Sequence, residues 1–422
     1  MSDLFAELKW RGLVSDATPH FQRHVTEGPR TVYAGFDPTA PSLQVGNLMP
    51  LILLRHFQLR GHKPIVLMGG GTGMIGDPSG QQSERPLLSK EQIRANVHRQ
   101  RDQVARLLDF DTKDRRALVL NNADWLVEQR LVDFLRDVGK HFTVNVMMQK
   151  ESVKARLDAG ISYTEFSYML LQAYDFLHLF RKEQCTIQVG GSDQWGNITA
   201  GIELIRRVEG GEAHGLVAPL VTTASGAKFG KSQAGALWLD PALTSPYKFY
   251  QYWMNVDDRD VERYLKLFTF LPKEGPRSIS SLLELHAKDP SRREAQSALA
   301  GEVTTLVHGQ DATDNATGVS AILFSEFDPQ NVKASVFDEL AKEIPTTTVS
   351  ADGLALVDAL VQTGLVKSKS EARRQMEQGG IYVNQARVTD VEHTVAASDW
   401  LAGRNLLLRK GKKDYALLRR EG

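Results

Sequence analysis

Between Arg30 and Thr222 the chain alternates short β-branched or aromatic runs with amphipathic helical stretches, and few folds accommodate that alternation. The candidate strands are Val32–Phe36, Pro64–Met68, Ala117–Leu120, Thr186–Val189 and Leu216–Thr222. Apolar residues recur at helical spacing over Leu48–Leu59, Glu91–Leu108 and Ile198–Val208 between them. Strands that take turns with helices pair in parallel through right-handed crossovers. The expected fold class is therefore α/β, a doubly wound, Rossmann-like parallel sheet. A helical insertion rich in Phe, Val and Met (residues 124–165, around Phe142 to Met148) interrupts it, and reads as a dimer face or a local core.

The β signals stop after Thr244-Ser245-Pro246. Four segments follow from the pattern: an α/β domain over 1–245, an α-helical domain over 246–325, a polar linker over 326–352 around one short helix, and a small α+β domain over 353–422. In the last, Ser368 and Glu371 form a capping-box pattern, and Gly379-Gly380 stops the helix that it opens. That segment carries 12 Lys/Arg against 8 Asp/Glu on a chain of zero net charge. A local basic patch on a neutral chain suits specific contact with a polyanion, or is a solvated face. No apolar run reaches the roughly 18 residues of a membrane span, and the single cysteine, Cys185, excludes a disulfide framework and a thiolate zinc site. The expected compartment is the cytoplasm.

The strand ending at Phe36 runs into Asp37-Pro38-Thr39-Ala40-Pro41, and a helix begins near Gly46. Unpaired N–H groups and the helix dipole at such a start suit phosphate, which makes the sheet a nucleotide-binding one. Two other motifs mislead. Gly71-Thr72-Gly73-Met74-Ile75-Gly76 matches G-x-G-x-x-G, but Asp77-Pro78-Ser79-Gly80 continues it as a turn, where a dinucleotide site needs a helix. Gly230-Lys231-Ser232 ends like a P-loop, but Ser225 stands where that loop needs its first glycine.

Taken together, the motifs resemble the class I aminoacyl-tRNA synthetases. Phe36 through Leu48 is similar to their HIGH signature and Lys228-Phe229-Gly230-Lys231-Ser232 to their KMSKS loop. Ser167 to Asp175 and Val189 to Asn197 resemble the bacterial tyrosyl branch, and the C-terminal segment resembles the fold shared with ribosomal protein S-four. The resemblance implies tyrosine activation by ATP to tyrosyl-adenylate and pyrophosphate, then transfer to the 3′-terminal adenosine of a tyrosine-specific tRNA. It implies a homodimer, ATP as substrate with Mg2+, and no tightly bound cofactor or protein-held metal. Residues 226–232 become a mobile loop.

Tyr168, Gln172 and Asp175 stand at i, i+4 and i+7, so they share one helix face. Asp175 and Tyr33 are expected to read the substrate hydroxyl, with Tyr168 and Gln172 at its ammonium end; Asp77 and Thr72 line the tyrosine pocket and Gln194 meets the carboxyl group. Joining a carboxylate to a phosphate needs no protein nucleophile, only positioning and stabilisation of growing charge. The expected catalytic set is accordingly donors and cations: Thr39, Gln44, Asn47, Lys228 and Lys231. Asp37, Gly46, Gly191, Asp193 and Lys231 are assigned to ATP and the adenylate, and Arg85 to pyrophosphate. Gln44 and Asn47 replace both signature histidines; an amide donates a hydrogen bond but carries no proton charge. Arg373, Arg374, Lys410, Lys412 and Lys413 are expected to contact tRNA phosphates. A tryptophanyl enzyme and a non-catalytic RNA-binding paralogue are the competing readings.

Overall fold

The computed structural model describes residues 3–79, 87–150, 153–154, 160–226, 229–232, 235–325, 327–349 and 353–421, with the side chains of Lys231, Ser232 and Gln330 outside that description. It divides into two compact units, residues 1–245 with 252–307, and residues 246–251 with 308–422. Residues 252–307 thus group with the α/β unit, whereas the fading of the β signals puts a boundary at 245.

The first unit is built on a six-stranded sheet of β1 (Asp16–Ala17), β2 (Thr31–Phe36), β3 (Lys63–Met68), β4 (Leu118–Asn121), β5 (Cys185–Gly191) and β6 (His214–Ala218), in the order β1-β6-β5-β2-β3-β4. All neighbours pair in parallel except the short edge strand β1, antiparallel to β6. Five of these strands match the predicted positions. β1 leaves no trace in the pattern because two residues carry no alternation. The strand order turns about β2, which has β3 on one side and β5 on the other, so a cleft opens where their carboxyl ends diverge.

The helices of this unit are α1 (Leu4–Arg11), α2 (Phe21–Thr26), α3 (Leu48–Leu59), α4 (Lys90–Val104), α5 (Ala123–Leu126), α6 (Leu131–Asp137), α7 (Val144–Met148), α8 (Tyr163–Glu183) and α9 (Trp195–Glu209). α8 starts where the Ser162 hydroxyl accepts from the Glu165 N–H, and ends at Gln184 in the left-handed conformation. Its apolar face, with Met169, Ala173, Phe176 and Leu177, packs with Tyr33, Ile65 and Leu67 in a core under the cleft. Polar Tyr168, Gln172 and Asp175 turn the other stripe of the same helix toward the strand ends. Two antiparallel fragments follow, β7 (Lys231–Ser232) and β8 (Gly235–Ala236).

Next come α10 (Pro246–Met254), α11 (Asp258–Phe268), α12 (Ile279–Lys288), α13 (Glu294–His308) and α14 (Gln310–Phe324). In the second unit α15 (Ala334–Leu340) packs on α14, and a five-stranded sheet forms from β9 (Thr346–Val349), β10 (Ile381–Val383), β11 (Ala386–Arg387), β12 (Asn405–Lys410) and β13 (Asp414–Arg420), in the order β11-β10-β12-β13-β9. α16 (Leu356–Gln362) and α17 (Lys369–Glu377) cover it through Leu356, Leu360, Ala372 and Met376. β9 lies inside the stretch expected to be a linker. Its β-branched run Thr346-Thr347-Thr348-Val349 pairs in parallel with β13 over Leu417–Arg420. Pro345, which lacks an N–H, precedes the strand and still accepts from the Leu417 N–H at 2.9 Å. The polar threonines conceal the strand because they sit at an edge.

Candidate active site

The cleft is lined by the carboxyl ends of β2, β3 and β5 and by the polar stripe of α8. At its deep end lies Asp175, 2% exposed. Its Oδ2 accepts from Asn122 Nδ2 and its Oδ1 from Trp125 Nε1, each at 2.8 Å. Burial pushes this carboxyl up to about 8, and the two donors partly oppose the rise. Beside it the Tyr33 hydroxyl is fully buried with no hydrogen-bond partner among the described residues, its ring edge-on to Phe176 at 5.2 Å.

Asn122 holds the network together. Its Oδ1 accepts from the Gly71 N–H at 2.7 Å, and its Nδ2 also donates to Thr72 Oγ1 at 2.9 Å. The Thr72 hydroxyl then donates to Asp37 Oδ1 at 2.7 Å, while Tyr168 Oη donates to Asp37 Oδ2 at 2.8 Å. Asp37, expected on the ATP side, therefore has its carboxylate bound to the side chains of the tyrosine end. The glycines before Thr72 make this possible: a Cβ on Gly69 would stand 2.0 Å from Asp37 Oδ1. The dinucleotide-like run thus clears space for a carboxylate. The pattern of the sequence does not reveal Asn122 and Trp125, because the cap and the single turn of α5 are too short for a periodic signal and their partner is 50 or more residues away.

A second chain of amides lies nearer the mouth. Gln172 Nε2 donates to Gln194 Oε1 at 3.3 Å, and Gln194 Nε2 donates to Asp77 Oδ2 at 2.8 Å and to Asp193 Oδ2 at 3.1 Å. A Cβ on Gly191 would meet Asp193 Oδ1 at 2.5 Å, so that residue lets the Asp193 carboxylate fold back over β5. Asp37, Asp77 and Asp193 give this part of the cleft an acidic character suited to an ammonium group.

The other end is the turn from Thr39 to Asn47. The Gln44 N–H donates to Asn47 Oδ1 at 2.9 Å, and the Asn47 N–H to the Gln44 carbonyl at 2.8 Å. Thr39, Gln44 and Gly46 are exposed there. Residues 237–239 join this turn to the distant loop: the Val45 N–H donates to the Leu237 carbonyl at 3.0 Å, and the Leu237 N–H to the Gly230 carbonyl at 3.0 Å. Gly230 has φ 77°, and a Cβ there would lie 2.5 Å from Val45 Cγ1, so only glycine allows this approach. The two sequence motifs, almost 200 residues apart, thus meet in space. Lys228 and Arg85 lie outside the described residues, as does the side chain of Lys231.

In the second unit, Arg373 and Arg374 are exposed on α17, and Lys412 and Lys413 in the β12–β13 turn. Lys410 is tied down: its Nζ donates to the Leu365 carbonyl at 2.5 Å and lies 3.9 Å from Glu371. The register adds Arg387, which the charge clusters do not single out, and ranges it with Arg409. Arg387, Tyr382, Arg409 and Tyr415 are successive cross-strand neighbours on β11, β10, β12 and β13. The Arg409 guanidinium lies 3.9 Å from the Tyr382 ring centroid, and Arg387 donates to Tyr382 Oη at 3.0 Å. Among the described residues neither arginine has a carboxylate partner, whereas Arg404 and Arg419 share Asp338.

Residues 26–325 match the family described as tRNA synthetases class I (W and Y), and residues 337–418 match the tyrosine–tRNA ligase SYY-like C-terminal domain. A tyrosine–tRNA ligase of Anaeromyxobacter dehalogenans is 54% identical over 422 residues, covering 99% of this chain and 100% of the relative. One from Bacillus caldotenax is 51% identical over 420 residues, 99% of each chain. Among solved structures, a C-terminally truncated Aspergillus nidulans mitochondrial tyrosyl-tRNA synthetase is 33% identical with a TM-score of 0.69, covering 77% of this chain and 95% of that one. The chain belongs to the class I tRNA synthetases of the W and Y group. The C-terminal domain and the full-length identity place it in the tyrosine branch of that family.

Proposed function

We propose that the cleft of the first unit activates tyrosine with ATP and that the second unit holds the tRNA. The chain is a tyrosine–tRNA ligase that aminoacylates tRNA, with ATP as a substrate. One observation carries the assignment of the cleft: a buried Asp175 carboxyl group with two neutral donors stands beside a Tyr33 hydroxyl that has no partner among the described residues. A phenolic hydroxyl between them donates to Asp175 and accepts from Tyr33. Phenylalanine would leave both groups unmatched, and tyrosine-against-phenylalanine selection in this enzyme class is the established example of such discrimination.

In this reading Asp37, Asp77, Tyr168 and Gln172 surround the ammonium group, with Thr72 fixing Asp37. Gln194 meets the tyrosine carboxylate and Asp193 the ribose. The carboxylate then attacks the α-phosphate, and Thr39, Gln44, Gly46, Asn47, Lys228 and Lys231 meet the phosphates. Mg2+ comes to the cleft with the ATP phosphates. Arg373, Arg374, Lys412, Lys413 and the Arg387–Tyr382–Arg409 row contact the RNA, where guanidinium planes and rings can stack on unpaired bases.

The exposed apolar side chains of the insertion, Leu131 at 73%, Val132 at 74% and Val144 at 62%, form the face on which a second copy seats. The compartment is the cytoplasm, in keeping with one buried, unbridged cysteine; no helix among the described residues is long and apolar enough to cross a membrane.

Exchange of labelled pyrophosphate into ATP tests the assignment. It should depend on tyrosine, fail with phenylalanine and tryptophan, and vanish in Asp175→Ala. Unchanged exchange in that variant overturns the hydroxyl site. Removing residues 337–422 should spare exchange and abolish tRNA charging, and equal loss of both would refute the division of labour. Val132→Glu should halve the mass seen by sedimentation, and an unchanged mass removes the proposed dimer face.

A further inference from the structure

The stretch from Thr222 to Gly230 is tied on both sides to α10 and α11. On the entry side, Tyr264 Oη donates to the Thr222 carbonyl at 3.1 Å, and Asp260 Oδ2 accepts from the Ala224 N–H at 2.8 Å. On the exit side, the Gly230 N–H donates to Tyr252 Oη at 3.0 Å. Between these ties the Phe229 ring, 8% exposed, is caged by Tyr252, Trp253, Tyr264 and Phe268, stacking on the last at 5.2 Å and 15°.

Asp260 is 5% exposed, and among the described residues it has no ion-pair partner. A buried carboxylate without a cation is a costly way to fill space, and this one accepts a hydrogen bond from the loop backbone. α11 is itself held from behind. Buried Arg11 on α1 donates to the Thr269 carbonyl at 2.7 Å, the Leu271 carbonyl at 2.7 Å and the Lys266 carbonyl at 3.2 Å, which fixes the end of the helix.

We infer that Tyr252, Asp260 and Phe229 are positioning residues for the activation step. They tie Thr222, Ala224 and Gly230 to α10 and α11, and so set the place from which the lysines meet the phosphates. The inference rests on the reading of Lys228 and Lys231 given above.

Steady-state pyrophosphate exchange with the full-length protein tests it. Asp260→Ala and Tyr252→Phe should each lower kcat about tenfold, the scale of one hydrogen bond at a charged or buried group. The tyrosine KM should stay unchanged, since neither residue touches the tyrosine pocket. Asp260→Asn should restore most of the rate, because its amide oxygen still accepts from the Ala224 N–H. Tyr252→Phe keeps the ring in the cage, so it remains informative if Asp260→Ala fails to fold. Wild-type kcat in both variants, or a loss shared equally with the tyrosine KM, overturns the inference. Lys231→Ala in the same assay separates the two levels. If it loses rate while Asp260→Ala and Tyr252→Phe do not, the positioning role alone is wrong. If it keeps full rate, the reading of the loop falls and the inference with it.

Discussion

Burial pushes the Asp175 carboxyl up to about 8, while Asn122 and Trp125 draw it back. A phenol donates best to the ionised form, so the tyrosine KM should fall as pH rises through about 8. The sign for stability is opposite. The folded value lies above the ordinary 3.8, so the empty protein is most stable below that value and loses stability as pH rises through about 8. Trp125→Phe removes one donor, and should lower kcat/KM for tyrosine about tenfold while steepening its pH dependence. A flat response places the hydroxyl contact elsewhere. Tyr33→Phe makes the sharper test. Its hydroxyl has no partner among the described residues, so its loss should leave the melting temperature level or slightly raised, yet raise the tyrosine KM about fivefold, the worth of roughly 1 kcal/mol. A structural hydroxyl would do the reverse. Legibility follows the same physics: Tyr168, Gln172 and Asp175 are readable because helical periodicity aligns them, whereas Asn122 and Trp125 reach the site from the cap and the single turn of α5.

Elements are readable wherever one face is buried. Leu48–Leu59 begins and ends where its apolar spacing predicts, and the strands at 31–36 and 63–68 carry largely apolar runs. β9 is not, since a threonine run behind a proline reads as polar connection, and only its pairing with β13 makes it a strand. That pairing has a consequence for truncation. A chain ending after residue 352 keeps β9 but deletes β13, which leaves a β-branched edge with open N–H and C=O groups. A chain ending at Ala341 removes both, though either loses the Arg404 and Arg419 partners of Asp338. The shorter chain should therefore give the higher soluble yield and less aggregate in size-exclusion chromatography, with equal pyrophosphate exchange per folded molecule. Greater aggregation of the shorter chain would mean that β9 does not need β13.

At the scale of the molecule, the first unit assembles around histidines kept neutral. The His56 ring lies 4.7 Å from that of Phe270, tilted by 41°, among Arg11, Arg60 and Arg55; burial first, then those charges, hold it down to about 3. His62 is held to about 4 by burial and by Arg30, whose N–H donates to its Nδ1 at 3.1 Å and so requires that nitrogen unprotonated. His24 lies 4.3 Å from His214, and burial with that second imidazole brings it to about 4. Each folded value lies below the unfolded 6.5. The stability these groups contribute is whole above pH 6.5 and is lost as pH falls toward 4, because the unfolded chain takes up protons that the folded one refuses. Asp175 and Asp193, both raised by burial, work the other way, against these three histidines and His214, which burial also lowers. The melting temperature should therefore drop as pH is lowered from 6.5. His56→Phe keeps the ring against Phe270 without a titrating nitrogen, and should remove about a third of that slope if the three contribute equally. Parallel calorimetric curves for wild type and His56→Phe across this range would mean that acid acts on the fold through other groups.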